Sequence, residues 1–259
     1  MSALTLKDLA PQRQDKLRRI LAQHEVVHVS ELITQIKASP ATIRRDLAEL
    51  ERLGELRRTH GGAFRVKVPR QEAPFGVKSA EATEEKQRIA LAALKYVNPS
   101  ETIFLDAGST VHMLARLLAE RTDITVVTRS LPAAAELTAH GPKLVLIGGD
   151  LRRQSQGTVG PLAHLALEHL YMDRAFMGAS GVSLEQGITT PDPTESYIQE
   201  IVMNHARQII LLADSSKAGK VCFARSAPVE KIHVLISDKA LDRKFLSELR
   251  RRGVEVVVA

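Results

Sequence analysis

From residue 101 onward, short apolar runs alternate with helical patterns, and this alternation limits the fold more than any other feature of the chain. TIFLDAG (102–108), ITVVTRS (124–130), KLVLIGGD (143–150), DRAFMGASGV (173–182), QIILLADSSK (208–217), KIHVLISD (231–238) and VEVVVA (254–259) read as strands. STVHMLARLLAER, LPAAAELTAH, TESYIQEIVMNHA and DRKFLSELRRRG, lying between them, carry apolar residues at helical spacing. Strands that are apolar on both sides need cover on both faces, and helical crossovers supply it. The expectation is an α/β domain with a mostly parallel sheet covered by helices.

The first quarter reads differently. PQRQDKLRRILAQHE places Leu17, Ile20 and Leu21 on one helical side, and SELITQIKA, with Ser30 as its cap, turns Leu32, Ile33 and Ile36 inward. SPATIRRDLAELERLG is a third helix: Ser39 caps it, Pro40 takes the first helical position, Gly54 suits its end, and Ile43, Leu47 and Leu50 face a core. The link KASP between the second and third helices is short enough for a helix-turn-helix. ELRRTHGGAFRVKV then reads as a β-hairpin around Gly61 and Gly62. Three helices and a basic hairpin make a winged helix-turn-helix over residues 1–68. PRQEAPFGVKSAEA (69–82) reads as a linker. Residues 83–259 form the α/β domain, entered through TEEKQRIALAALKYV with Thr83 as its cap.

Charge separates these parts as sharply as pattern does. Residues 1–70 hold 14 Lys and Arg against 8 Asp and Glu, whereas the rest hold 22 of each. A basic excess confined to the helix-turn-helix favours a polyanionic partner for that segment. In such a motif the second helix enters the major groove of double-stranded DNA and its first residues meet base edges and phosphates. Ser39, Thr42, Arg44 and Arg45 are therefore the candidates, with Arg57, Arg58 and His60 on the hairpin reaching backbone or minor groove. Positive charge at a helix N-terminus opposes the macrodipole, so Arg44 and Arg45 cost stability where they stand. The alternative is that they pair with Asp46, Glu49 or Glu51 on a solvated face, with Asp46 itself structural. Aromatic residues make up 3% of the chain and Trp is absent, which disfavours a stacking platform for single strands. The single cysteine, Cys222, excludes an internal disulfide, and no Cys/His spacing reads as zinc-binding. No run is apolar enough to span a membrane and no signal-peptide core opens the chain, so a cytoplasmic protein is expected.

The run SPATIRRDLAELERLGELRRTHGGA closely resembles the signature of DeoR-type (GlpR-type) bacterial repressors of sugar and polyol operons. TEEK (83–86), FLDAGST (104–110), LIGG (146–149), FMGASGV (176–182) and ADSSK (213–217) fall in order where that family's sensor domain has similar segments. The resemblance implies a winged helix joined to an α/β domain related to ribose-5-phosphate isomerase, and repression relieved by a phosphorylated sugar. The direction of regulation rests on the resemblance alone.

The residues support a sensor on their own terms. In an open parallel sheet, ligands bind outside the carboxyl ends of the strands. Those ends here are polar and glycine-containing: Asp106, Gly108, Ser109 and Thr110; Thr128, Arg129 and Ser130; Gly148 and Gly149; Gly178 to Gly181; and Asp214 to Lys217. DAGST runs into a helix whose N–H groups can hold an anion. Lys217 and Arg129 offer mobile positive charge, Asp106 can accept sugar hydroxyls, and Lys86 of the entering helix, beside Thr83 and Glu85, is placed to join the site. Each residue also has a plain reading as loop chemistry. Gly148-Gly149 lacks the spacing of a dinucleotide site, and no cofactor is called for. Arg152-Arg153 and Arg250-Arg251-Arg252 read as solvated faces. Two positions depart from the family pattern: Arg129 stands where Asn is usual, and Gln199-Glu200 where Lys-Arg is common, so an effector with more negative charge near Arg129 is one expectation. The reading is a non-enzymatic, homo-oligomeric regulator, a dimer or tetramer. A sugar-phosphate isomerase with a DNA-binding appendage and an activator are its rivals.

Overall fold

The computed structural model describes residues 13, 14, 16, 17, 20, 26–36, 38–52, 56–58, 62–65, 72–139 and 141–259. The chain divides into two compact units between Val68 and Pro69.

In the first unit, strand β1 (Val26–His28) leads directly into helix α1 (Val29–Ile36), which is followed by α2 (Pro40–Arg52) and strands β2 (Leu56–Arg58) and β3 (Gly62–Arg65). The hairpin β2–β3 pairs Leu56 with Arg65 and Arg58 with Ala63, and β1 adds to its other side in the order β1-β3-β2. The expected wing is therefore present, with a third strand that three residues of VVH gave no periodicity to find. Ile43, Leu47 and Leu50 face inward as expected, closing a core with Leu17, Val27, Leu32 and Ile36. Burying each large aliphatic side chain contributes about 1.5–3 kcal/mol. Ser30 lies inside α1 rather than capping it. Gly54 and Leu21 lie outside the described residues.

The second unit is built on seven parallel strands: β4 (Thr102–Leu105), β5 (Thr125–Thr128), β6 (Lys143–Leu146), β9 (Met172–Met177), β12 (Ala206–Leu212), β14 (Val234–Ser237) and β15 (Glu255–Val258). Their order is β15-β14-β12-β9-β4-β5-β6. Alternate residues of one strand enter different cores: Phe104 joins the cluster on one face while Ile103 and Leu105 join the other, and Ile209 and Leu211 divide in the same way from Ile210 and Leu212. Helices α4 (Thr83–Leu94), α5 (Ser109–Leu117) and α6 (Leu131–Leu137) cover one face; α7 (Pro161–Leu167), α8 (Pro193–His205) and α9 (Arg243–Arg251) cover the other.

Four pieces depart from the sequence expectation. The hairpin β7 (Asp150–Arg152) and β8 (Gly157–Val159) fills the stretch after the third strand. DRAFMGASGV is not one strand: β9 ends at Met177, and β10 (Gly181–Ser183) pairs with β11 (Gly187–Thr190), which pairs with β13 (Ala224–Ala227) in a separate antiparallel sheet. The 69–82 stretch, expected as a linker, carries helix α3 (Phe75–Ala80), and Phe75 is buried with its ring edge-on to His112. Thr83 does not cap α4: Ala82 holds the N-cap position with φ 49°, and the Thr83 hydroxyl donates back to Ser79 and Ala80 at the end of α3.

Candidate functional site

The residues expected at a DNA surface stand at the start of α2. The Ser39 Oγ accepts the Thr42 N–H at 3.2 Å and lies 2.8 Å from the Thr42 hydroxyl, so one orphan donor of the helix is capped. Arg44 and Arg45 are exposed, and among the described residues neither pairs with a carboxylate. Asp46 points the other way: 4% exposed, it takes both Nε and Nη2 of Arg13 from the first helical stretch. Its structural role is as expected, but its partner is neither adjacent arginine. Two cations thus face outward one turn into the helix. Arg57 and Arg58 lie on β2, opposite Phe64 and Ala63. His60 lies outside the described residues.

In the second unit the chain runs from β4 to β5 and β6 on one side, then returns to β9, β12, β14 and β15 on the other. The reversal falls between β4 and β9, and the crevice at such a point is where open α/β sheets bind ligands. A cavity of about 220 Å³ opens there, below the ~300–1,000 Å³ typical of drug-sized ligands. That volume suits a small metabolite.

Its walls come from the ends of β4, β9, β11 and β12, from α4 and α8, and from the segment before α4. The β4 end supplies Gly108, Ser109 and Thr110, which open α5. No side chain caps that helix, so its first N–H groups are open to an anion. The β9 end supplies Gly178 to Ser180, and the β12 end supplies Asp214 and Lys217. Lys217 lies 3.9 Å from Asp214 and remains partly exposed, while Lys220 has no carboxylate partner among the described residues. Lys86 is 3% exposed and donates through Nζ to the carbonyls of Lys78 and Glu81. Burial lowers its pKa, with Asp214 opposing that shift and Lys217 adding to it. Lys78, Glu72, Glu195 and Gln199 complete the wall.

Of the expected effector residues, Gly108, Ser109, Thr110, Lys86 and Lys217 meet at this cavity. Asp106, Thr128, Arg129, Ser130, Gly148 and Gly149 are not on its wall. Asp106 is fully buried, and its carboxylate accepts four donors: Ala107 N at 2.8 Å and Arg129 Nε at 2.7 Å on Oδ1, Gly178 N at 3.3 Å and Gln199 Nε2 at 2.7 Å on Oδ2. A carboxylate has about four acceptor sites, so none is left for a sugar hydroxyl. Arg129 is no mobile cation. Fully buried, it donates to Asp106 and, at 2.9 Å, to Glu195. Burial disfavours its charge, but the two carboxylates outweigh that and raise its pKa. The expectation of extra effector charge beside Arg129 fails for the same reason: its charge is already neutralised.

The other four positions, Thr128, Ser130, Gly148 and Gly149, follow β5 and β6 and lie off the cavity wall. The Thr128 hydroxyl donates to Leu105 O at 2.7 Å, and Ser130 caps α6 by accepting Ala133 N. Gly149, with φ 142°, lets the backbone pass Val159, whose carbonyl would lie 2.5 Å from any Cβ. Glu85 bonds Arg88 along the surface of α4.

Sequence reasoning missed a chain of charge around the cavity. Arg152, expected on a solvated face, is half-buried and joins Glu72, Asp192 at 3.1 Å and Glu195 at 3.7 Å. Glu195 is 4% exposed; burial would raise its pKa, but Arg129 and Arg152 prevail and hold it low. Glu72 also accepts from Lys78 at 2.7 Å. Gln199 is fixed by Ser226 at 2.6 Å as well as by Asp106. Only its departure from the family pattern singled it out in the sequence.

A model of the DeoR-like helix-turn-helix domain matches residues 13–68, and one of the DeoR C terminal sensor domain matches residues 81–239. The HTH-type transcriptional regulator GlpR of Haloferax volcanii is 34% identical over 96% of this chain and 98% of its own length. A putative aga operon transcriptional repressor of Escherichia coli O157:H7 is 33% identical over 95% and 93%. The HTH-type transcriptional repressor GlcR of Bacillus subtilis is 31% identical over 92% of each chain. Among solved structures, ribose 5-phosphate isomerase A of Methanocaldococcus jannaschii overlaps 53% of this chain and 55% of its own at 22% identity and a TM-score of 0.41.

Proposed function

This chain belongs to the DeoR family of helix-turn-helix transcriptional regulators, and from that premise we propose that it represses a carbohydrate-catabolism operon until a phosphorylated sugar binds its second unit. The observation that carries the reading is the pair of outward arginines, Arg44 and Arg45, near the start of α2, which meet no carboxylate among the described residues. A guanidinium pairs bidentately with guanine in the major groove and neutralises phosphate beside it. Ser39 and Thr42 stand beside them, and Arg57, Arg58 and His60 of the wing extend the same contact. Paired half-sites on operator DNA favour a homo-oligomer, because two recognition helices then bind together.

The effector half of the reading rests on the cavity. Lys86, Lys217 and Lys220 and the open start of α5 at Ser109 and Thr110 suit a phosphoryl group. Effector binding lowers operator affinity only if it favours a conformation that holds DNA less well. An isomerase-like reading would enlist Asp106 as general base, but all its acceptor positions are taken. The regulatory reading is the better supported.

A gel-shift titration on the operator, with and without a panel of pentose and hexose phosphates, tests the proposal. Arg44→Ala and Arg45→Ala should each weaken binding by about 1–3 kcal/mol where a base is read and leave the thermal transition in place. Wild-type affinity in both variants, or an operator complex blind to every sugar phosphate, would overturn it.

A further inference from the structure

Glu72 lies four residues beyond the boundary of the DNA-binding unit, yet its carboxylate is inside the wall of the effector cavity. Its side chain is 6% exposed and bridges two cations, Lys78 on α3 and Arg152 on β7. Lys78 lines the same cavity. The Lys86 ammonium grips the backbone of this segment through the Lys78 and Glu81 carbonyls, and Lys86 lines the same cavity. Between them, Glu72, Lys78 and Lys86 tie residues 72–81 down with the very charges that an incoming anion would use. Ala82, at φ 49°, makes the turn that separates this segment from α4.

We infer that Glu72 is a tethered competitor of the effector: its carboxylate occupies the Lys78 side of the cavity, and the effector's phosphoryl group displaces it and loosens residues 72–80. The inference rests on the sugar-phosphate reading given above. A phosphoryl group drawn to Lys78 would stand beside the Glu72 carboxylate, and repulsion between the two anions sets them in competition for that cation. Binding energy is thereby spent on freeing the segment that leads back to the DNA-binding unit, which gives the ligand differential affinity for two states.

The test uses the full chain and inorganic phosphate, with a sugar-phosphate panel alongside. Glu72→Gln keeps the shape of the side chain and removes its charge, and it should bind phosphate about tenfold more tightly by calorimetry. On a Lys78→Met background the same substitution should change affinity little, because the contested cation is gone. Hydrogen exchange over residues 72–80 should quicken when phosphate is added to the wild type and be fast in Glu72→Gln without it. If Glu72→Gln fails to fold, Glu72→Met, of similar length and likewise without charge, carries the same expectation. Wild-type protein that binds phosphate while Glu72→Gln binds it no better overturns this inference alone. Wild-type protein that binds neither phosphate nor any sugar phosphate overturns the effector reading as well.

Discussion

Arg129 shows how one side chain changes meaning between sequence and structure. At the end of a strand its guanidinium looks available to a ligand, and nothing local says otherwise. Its partners lie 23 and 66 residues away, at separations where a single sequence gives no sign of contact. Asp106 suffers the same misreading, since saturation of a carboxylate is a count of donors from three other segments. Arg129→Asn would leave Asp106 and Glu195 buried beside a lost cation. Removing one partner of such a pair costs about 3–5 kcal/mol, and urea unfolding should register that loss. Gln199 Nε2 stands 2.7 Å from the far oxygen of Asp106, so Gln199→Lys places an ammonium against the carboxylate that Arg129→Asn exposes. The double variant should recover part of the stability that the single one loses, and strict additivity would show that the two positions do not share Asp106.

At the scale of elements, the parallel strands were legible because burial on both faces writes the central ones, such as β4 and β14, as apolar runs. The elements that escaped are short and mixed, among them VVH, the β7–β8 hairpin, the three-residue β10, and α3, whose one buried side chain is Phe75. A segment with one apolar anchor carries no period, so only tertiary contact defines it. The α3–α4 junction shows the cost of such a joint. Ala82 sits in the left-handed region, where an L-residue with a Cβ is disfavoured by roughly 1–2 kcal/mol. Ala82→Gly should therefore raise stability by about 0.5–1 kcal/mol, after the glycine's greater freedom in the unfolded chain is subtracted. Thermal unfolding of the second unit checks the sign; a loss of stability would mean that the Ala82 methyl packs rather than strains.

At the scale of the whole molecule, the division into two units with separate cores was visible as a change of pattern and of charge near residue 70. What the sequence concealed was which strand ends share a cavity, because strand order follows from crossovers rather than from the runs themselves. Separate cores should unfold as separate calorimetric transitions. Phosphate or a sugar phosphate at about 100 times its Kd should raise the one belonging to the second unit, by about 2.7 kcal/mol, and leave the other where it is. A single transition moved as a block would show that the cores are energetically fused. The cavity at the strand crossing also has a consequence in time. Its walls are drawn from Glu72 through Lys220, whereas the DNA-binding unit is one contiguous stretch at the front of the chain. A chain leaving the ribosome completes its grip before its ear, since units fold in the order in which they emerge. On the function proposed above, each newly made chain folds its DNA-binding unit before the cavity that would receive the effector is complete.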